Sequence, residues 1–288
     1  MNDKICGIII TFNCDKDFVN TISSASKQVD KIIIVDNGSK EETIKMLNDL
    51  KADYDFELHC CNENLGIASA LNIGVKYALN HGYDWVLTLD HDSVLEPGMV
   101  NKLLEGYYGL HKEEREKVVS LVPRYVLEGI EDKNTYNEKI RYIEGGITSG
   151  NLVKREAFEA VGFFEEKLFI DYVDYDFCYR LIEKGLKIIE VRDATLHHKL
   201  GETSAKKLLT GKYNVTNHNA VRRYYMTRNR LYCWDKYKKV VPNSVKHDKK
   251  CAAKETVKIV FFEDDKFNKM KMIAKGVYDY NKDKYGKI

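Results

Sequence analysis

Between Ile5 and Leu89 the chain alternates short, nearly continuous apolar runs with longer stretches whose apolar residues recur at helical spacing. Ile5–Thr11 and Lys31–Val35 are runs of the first kind, and a strand apolar on both faces is one covered on both faces, as in a parallel sheet. Each leads into a stretch of the second kind, Asp15–Ser26 and then Ser39 to about Leu50, with Asp36-Asn37-Gly38-Ser39 supplying turn chemistry between them. Phe56–Cys60 reads as a third strand. Gly66–Asn80 spaces Ile67, Ala70, Leu71, Val75, Ala78 and Leu79 as one helical face, and Asp84–Leu89 returns to strand. Successive strand–helix units of this kind predict an α/β fold.

Beyond Leu89 the pattern is less regular. Val118–Val122, Arg141–Thr148 and Lys187–Val191 read as strands and Arg155–Val161 and Asp174–Lys184 as helices, which predicts a mixed sheet in this half. A helix from about Asn219 to Lys236, rich in Arg and Tyr, leads into a lysine-rich remainder read as helical. Charge composition places the boundary: residues 236–288 carry 15 Lys against 7 Asp and Glu, a balance of +8, which leaves −6 on residues 1–235 although the whole chain is only +2. The expected organisation is one domain over 1–235 and a basic helical extension over 236–288. Such a tail either meets an anionic membrane surface or is a solvated helical face. Tyr224-Tyr225 and Tyr278–Tyr280 leave two readings open, a homodimer contact or packing within the chain.

With 44% hydrophobic and 31% charged residues the composition is that of a globular protein. The longest apolar runs fall far short of the roughly 20 residues of a membrane span, and the start of the chain lacks a signal-peptide pattern, so a cytoplasmic location is expected, peripheral to the inner membrane face if the tail binds there. Seven cysteines without a CxxC spacing suggest neither a disulfide framework nor a zinc site. The first strand ends in Thr11-Phe12-Asn13-Cys14-Asp15, without the glycines that a dinucleotide pyrophosphate needs, and no P-loop sequence is present. No nucleic-acid partner is expected.

What stands at the strand ends is polar and acidic: Asp36 and Asn37, Asn64 and Gly66, and Asp90-His91-Asp92. Two carboxylates flanking one residue directly after a buried strand can hold a hard divalent cation, and such a cation can bridge a diphosphate; a helix cap with a first-turn acid is the plainer reading of the same spacing. A second cluster, Asp171, Asp174 and Asp176, precedes a helix. There one carboxylate can serve as a general base, while another caps the helix or pairs with Arg180 at i,i+4.

The ordered segments IIITFN, IIIVDNGS, NENLGIASALNIGVKYAL, DWVLTLDHDS, TSGNLVKREAFEAVGFFEEKLFIDYVDYDFCYRL and LHHKLGE resemble the inverting glycosyltransferases of family 2, in particular their bacterial rhamnosyltransferase-like branch, over roughly residues 5–235. The resemblance implies a GT-A fold, with a Rossmann-like nucleotide-binding half, and a nucleotide-sugar donor. It implies that Thr11, Phe12 and Asn13 form the first nucleotide-contacting turn, that Asp36 reads the base or ribose, and that Asn64, Gly66 and Asn72 help to hold the donor. Asp90 and Asp92 match the motif that binds Mn2+ or Mg2+, Asp90 also serving the donor, and His198 matches a histidine that completes this site. Asp174 matches the catalytic base, with Asp171 and Asp176 as rivals, and Thr148-Ser149-Gly150 fall in an acceptor-side loop. His91 stands where the branch has Gln, and Val173 where many members have a second acid. Arg228, beside Asn229, has two readings, a phosphate contact or helix-surface charge. The donor implied is dTDP-L-rhamnose, with a UDP-hexose or UDP-N-acetylhexosamine as alternative. The acceptor implied is a glycan or glycolipid, lipid-linked or part of a growing cell-surface polysaccharide. A nucleotide-sugar-binding protein without catalysis is the remaining alternative.

Overall fold

The computed structural model describes residues 3–127, 138–198, 204–208, 211–215 and 217–288. In chain order its elements are β1 (Ile5–Thr11), α1 (Phe18–Ala25), β2 (Lys31–Asp36), α2 (Glu41–Asp49), β3 (Phe56–Cys60), α3 (Ile67–Asn80), β4 (Trp85–Asp90), β5 (Ser93–Leu95), α4 (Met99–Tyr108), α5 (Lys112–Arg115), β6 (Val118–Leu127), β7 (Ile140–Ile143), β8 (Asn151–Lys154), α6 (Arg155–Val161), α7 (Val173–Glu183), β9 (Lys187–His198), β10 (Ser204–Leu208), β11 (Gly211–Val215), α8 (Ala220–Tyr237), α9 (Pro242–Phe262) and α10 (Lys266–Asn281). They form two compact units, one of residues 1–166 and 173–199, the other of residues 167–172 and 200–288.

The first unit is built on a mixed sheet in the order β3-β2-β1-β4-β8-β6-β9-β5, with β7 added against β9. Its first four strands run parallel, as the two-sided apolarity of β1, β2 and β4 predicts, and β8 enters antiparallel between β4 and β6. Every residue of β1 is buried. The helix α3 lies so close to β1 that a Cβ on Gly74 would stand 2.4 Å from Ile8 Cγ2, so only glycine fits there.

The expected strand over Arg141–Thr148 ends at Ile143, and residues 144–150 form a loop. The β6 and β9 strands are longer than their apolar cores suggest and pair in parallel, with a register shift between Pro123 and Arg124. β5, β8 and α4 are additional to the elements expected from the sequence.

The second unit holds α8, α9 and α10, the antiparallel pair β10–β11 and the segment 167–172. Helix α8 therefore groups with the two helices of the basic tail, and the limits of the units differ from the 235/236 boundary read from charge. Tyr224 and Tyr225 are buried inside this unit at 1% and 3% exposure, so packing within the chain accounts for them. Among the described residues, no helix is long and apolar enough to cross a membrane.

Candidate active site

The carboxyl ends of β1, β2 and β3 are tied together by one hydrogen-bonded network. Asp36, fully buried at the end of β2, accepts from the Thr11 hydroxyl at 2.9 Å, the Ser39 hydroxyl at 2.5 Å and the backbone N–H groups of Gly38 and Ser39 at 3.2 and 2.8 Å. The Ser39 hydroxyl also accepts the Asn13 N–H, and Asn13 Oδ1 accepts the Lys40 N–H. Asn13 sits at φ +50°, a left-handed conformation that Asn tolerates better than most residues. Asn37 donates to Asn64 at 3.2 Å and accepts the Leu65 N–H, while Asn64 Oδ1 also accepts the Gly66 N–H. Gly38, at φ +84°, is what allows this crossing: a Cβ there would lie 2.4 Å from the Glu63 carbonyl carbon.

Burial separates the expected donor residues. Thr11, Asp36 and Gly66 are enclosed in the network, whereas Phe12 is 42% exposed and Asn13 is exposed beside it. Asn72 is 2% exposed on α3 and its amide is occupied: it donates to the Phe164 carbonyl and Glu166 Oε1 and accepts the Phe164 N–H, each at 2.9 Å. The geometry gives Asp36 and Asn72 the work of holding loops. The nearby Cys14 thiol is pushed up to about 12, first by burial and then by the charge of Asp36.

At the end of β4, Asp90 and Asp92 are half-buried. The loop 148–150 is stitched to this strand end: Gly150 N–H donates to the Thr88 carbonyl at 2.7 Å, the Thr88 hydroxyl donates to the Thr148 carbonyl, Ser149 Oγ accepts the Asp90 N–H at 3.2 Å, and the Ser93 and Ser149 hydroxyls lie 2.6 Å apart. The carbonyl of His91 accepts from Thr21. The β5–β9 pairing sets the His198 backbone opposite Ser93, directly after Asp92; its side chain lies outside the described residues. Two carboxylates are what a hard divalent cation takes from a protein when phosphates and waters complete its shell, so Asp90 and Asp92 fit such an ion. Among the described residues, no three acidic, Cys or His side chains gather.

The acidic cluster divides in the same way. Asp176 is fully buried and bound to Arg180 Nε at 2.9 Å, the i,i+4 pair expected of a helix, with Arg180 Nη2 also capping the Phe163 carbonyl. Asp171, in the second unit, pairs with Arg222 at 3.2 Å; burial raises its carboxyl above the usual range, and Arg222 opposes that. Asp174, half-buried in the first turn of α7, accepts its neighbour's N–H from Tyr175. The Tyr125 phenol of β6 has its pKa raised well above the ordinary value, chiefly by burial. Nothing in the sequence pattern singled out Tyr125, because β6 was read only as far as Val122.

In the second unit both sequence readings of Arg228 give way. It is neither phosphate-facing nor on the helix surface but wholly buried. Its guanidinium donates to the carbonyls of Lys167, Leu168 and Gly286, with the rings of Tyr224, Tyr225 and Tyr285 at 5.1–5.3 Å. Asn229 donates to the carbonyls of Leu168, Ile170 and Asp171. Together they fix the segment 167–172, in which Phe169, Asp171 and Tyr172 all hold positive φ.

The glycosyl transferase family 2 model matches residues 6–164, and dTDP-rhamnosyl transferase RfbF of Shigella flexneri is 33% identical over 244 residues, 80% of this chain and 79% of that one. Among solved structures, S. aureus TarS 1-349 in complex with UDP-GlcNAc superposes with a TM-score of 0.59 at 13% identity, covering 96% of this chain and 80% of that one. GalNAc-T7 with UDP, GalNAc and Mn2+ gives 0.61 at 14% identity; the match covers 82% of this chain but only 49% of GalNAc-T7, so this chain spans about half of that protein. These two likenesses establish the GT-A architecture. The chain belongs to glycosyl transferase family 2 and is a glycosyltransferase of the GT-A fold.

Proposed function

We propose that this protein is an inverting rhamnosyltransferase that moves L-rhamnose from dTDP-L-rhamnose to a hydroxyl of a lipid-linked or growing cell-surface polysaccharide. The choice of sugar rests on the 33% identity with a dTDP-rhamnosyl transferase over four-fifths of the chain. The chemistry rests on one observation, the half-buried carboxylates at the element ends: Asp90 closes β4 with Asp92 two residues on, and Asp174 stands in the first turn of α7. Phe12, exposed beside the network of Asn13 and Asn64, offers a face on which the base can stack. Asp90 and Asp92, with His198 as a further ligand, would hold a Mn2+ or Mg2+ ion, which would supply positive charge against the departing diphosphate. Asp174 takes the proton of the acceptor hydroxyl as its oxygen attacks the anomeric carbon from the face opposite the diphosphate. One C–O bond forms, the bond to the diphosphate breaks with its electron pair leaving on the phosphate oxygen, and the configuration inverts without a covalent enzyme intermediate. Asp171 and Asp176 are committed to arginines, which favours Asp174 as the base.

Release of nucleoside diphosphate from a panel of dTDP- and UDP-sugars, with and without Mn2+ or Mg2+, tests this. The expected result is metal-dependent release of dTDP from dTDP-L-rhamnose in the presence of acceptor. In Asp174→Asn turnover falls about 100-fold or more while donor binding is retained. Selection of a UDP-hexose or UDP-N-acetylhexosamine overturns the choice of sugar, and full turnover in Asp174→Asn overturns the base.

A further inference from the structure

Helices α9 and α10 each leave an apolar stripe in solvent. On α9, Val257, Val260 and Phe261 are 54%, 41% and 66% exposed; on α10, Phe267, Met270, Val277 and Tyr278 are 82%, 37%, 39% and 57% exposed. Spacings of three, four, seven and eleven residues place each set on one side of its helix. Covering helices of a globular protein turn such faces inward, and large apolar side chains left exposed along a helix face mark an interaction surface.

The charges around the stripes identify what they meet. Four of the seven acids in residues 236–288 turn toward α8 and are consumed there. Asp248 binds Trp234 Nε1 and Arg230, Glu255 binds Arg223 and Arg230, Glu263 binds Arg223 and Lys269, and Asp279 binds the Tyr224 hydroxyl and Lys275. Of the fifteen lysines, Lys269 alone is buried and Lys258 half-buried, and the rest are exposed. The outer surface therefore carries thirteen exposed lysines against three exposed acids, Asp264, Asp265 and Asp283. Aromatic and aliphatic side chains set among lysines are the chemistry of a helix lying in the headgroup layer of an anionic bilayer. Self-association of the same surface would press like charges together.

We propose that the outward faces of α9 and α10 dock on an anionic membrane, with Phe261 and Phe267 inserting at the headgroup boundary and Lys254, Lys266 and Lys271 pairing with lipid phosphates. This goes beyond attraction by a basic tail, because insertion leaves a component of binding that salt does not remove. It needs no substrate, so its failure leaves the transfer reaction standing, and the reverse holds as well.

The full chain is floated with phosphatidylglycerol-containing vesicles and with phosphatidylcholine vesicles, at low and high salt, beside light scattering of the protein alone. The expected result is binding to the anionic vesicles that persists in part at high salt, about tenfold weaker in the double variant Phe261→Ser/Phe267→Ser and about fivefold weaker for each of Lys266→Glu and Lys271→Glu. All four positions are exposed, and an unchanged circular dichroism spectrum verifies the fold. No binding to anionic vesicles, or wild-type binding by the Phe variant, overturns the proposal. So does a dimer in solution that the Phe variant dissociates, since the stripes are then covered by a second copy.

Discussion

Replacing Asp36 by Asn tests whether this residue acts on the ligand or on the loops around it. The side chain is wholly buried and accepts four hydrogen bonds. Asn keeps the shape and one carbonyl oxygen but loses the charge. A hydrogen bond to a charged group contributes about 1.5–3 kcal/mol and a neutral one about 0.5–1.5, so the two backbone N–H bonds on Oδ1 weaken by about 1 kcal/mol each. On the other oxygen the new NH2 group faces two donating hydroxyls, and the Ser39 hydroxyl is already fixed by the Asn13 N–H at 2.7 Å. Reorienting it costs about 1 kcal/mol more. Removing a buried charge returns part of this, leaving a net loss of about 2–3 kcal/mol. Urea unfolding followed by far-UV circular dichroism measures it, as a lower midpoint at unchanged slope, and titration with dTDP shows whether binding weakens in step. An unchanged midpoint with lost nucleotide affinity would refute the reasoning, because Asp36 would then be spent on the ligand.

Three further outcomes are expected. Tyr125→Phe removes a buried hydroxyl that has no hydrogen-bond partner among the described residues, so thermal unfolding should show equal stability or a gain of about 1 kcal/mol, together with slower turnover if the hydroxyl serves the reacting groups; a lower melting temperature contradicts this. His218 is held down to about 4 from 6.5, first by burial and then by Arg222 and Arg223; the unfolded chain therefore takes the proton first, and stability that is complete above pH 6.5 declines as the pH falls toward 4. Because the ring is only partly buried, the loss is about 1–2 kcal/mol, and melting curves of His218→Gln should lack it, an identical pH slope counting against the idea. Burial pushes the thiols of Cys6, Cys14 and Cys178 up to about 12, so maleimide mass spectrometry of the native protein should find label on the exposed Cys60 and Cys251 and on those three only after denaturation.

The first half of the fold was legible because β1, β2 and β4 are buried on both faces. β1, β2 and β4 read as unbroken apolar runs, and their ends had to carry the polar residues. Polar residues at those ends, such as Asp36, Asn64 and Asp90, stand out against such runs. What they do there did not stand out. Asp36 and Asn72 have the residue types of ligand contacts, yet the bonds that occupy Asn72 reach Phe164 and Glu166, 92 and 94 residues away. Likewise the seat of Asp90 depends on Ser149, 59 residues on. Pairings of that range follow from β8 entering between β4 and β6, and four weakly patterned residues gave no notice of it.

Arg228 and Asn229 show the limit most clearly. Arg in a helix rich in polar residues has a strong prior for the surface, and nothing local overrides it. The override comes from the backbone of 167–172. Three residues with positive φ take that segment out of any ladder; the Leu168 carbonyl accepts the Ile170 N–H, and the carbonyls of Lys167, Ile170 and Asp171 take donors from outside the segment. A guanidinium with five donors in a fixed fork and a carboxamide with two supply them from one turn of α8. The strained segment and its donors lie about 60 residues apart in sequence, and each looks ordinary alone. Their need for each other explains why a buried charge is retained, and the chain runs from this fixed segment straight into Val173 and Asp174, the residue proposed as the base.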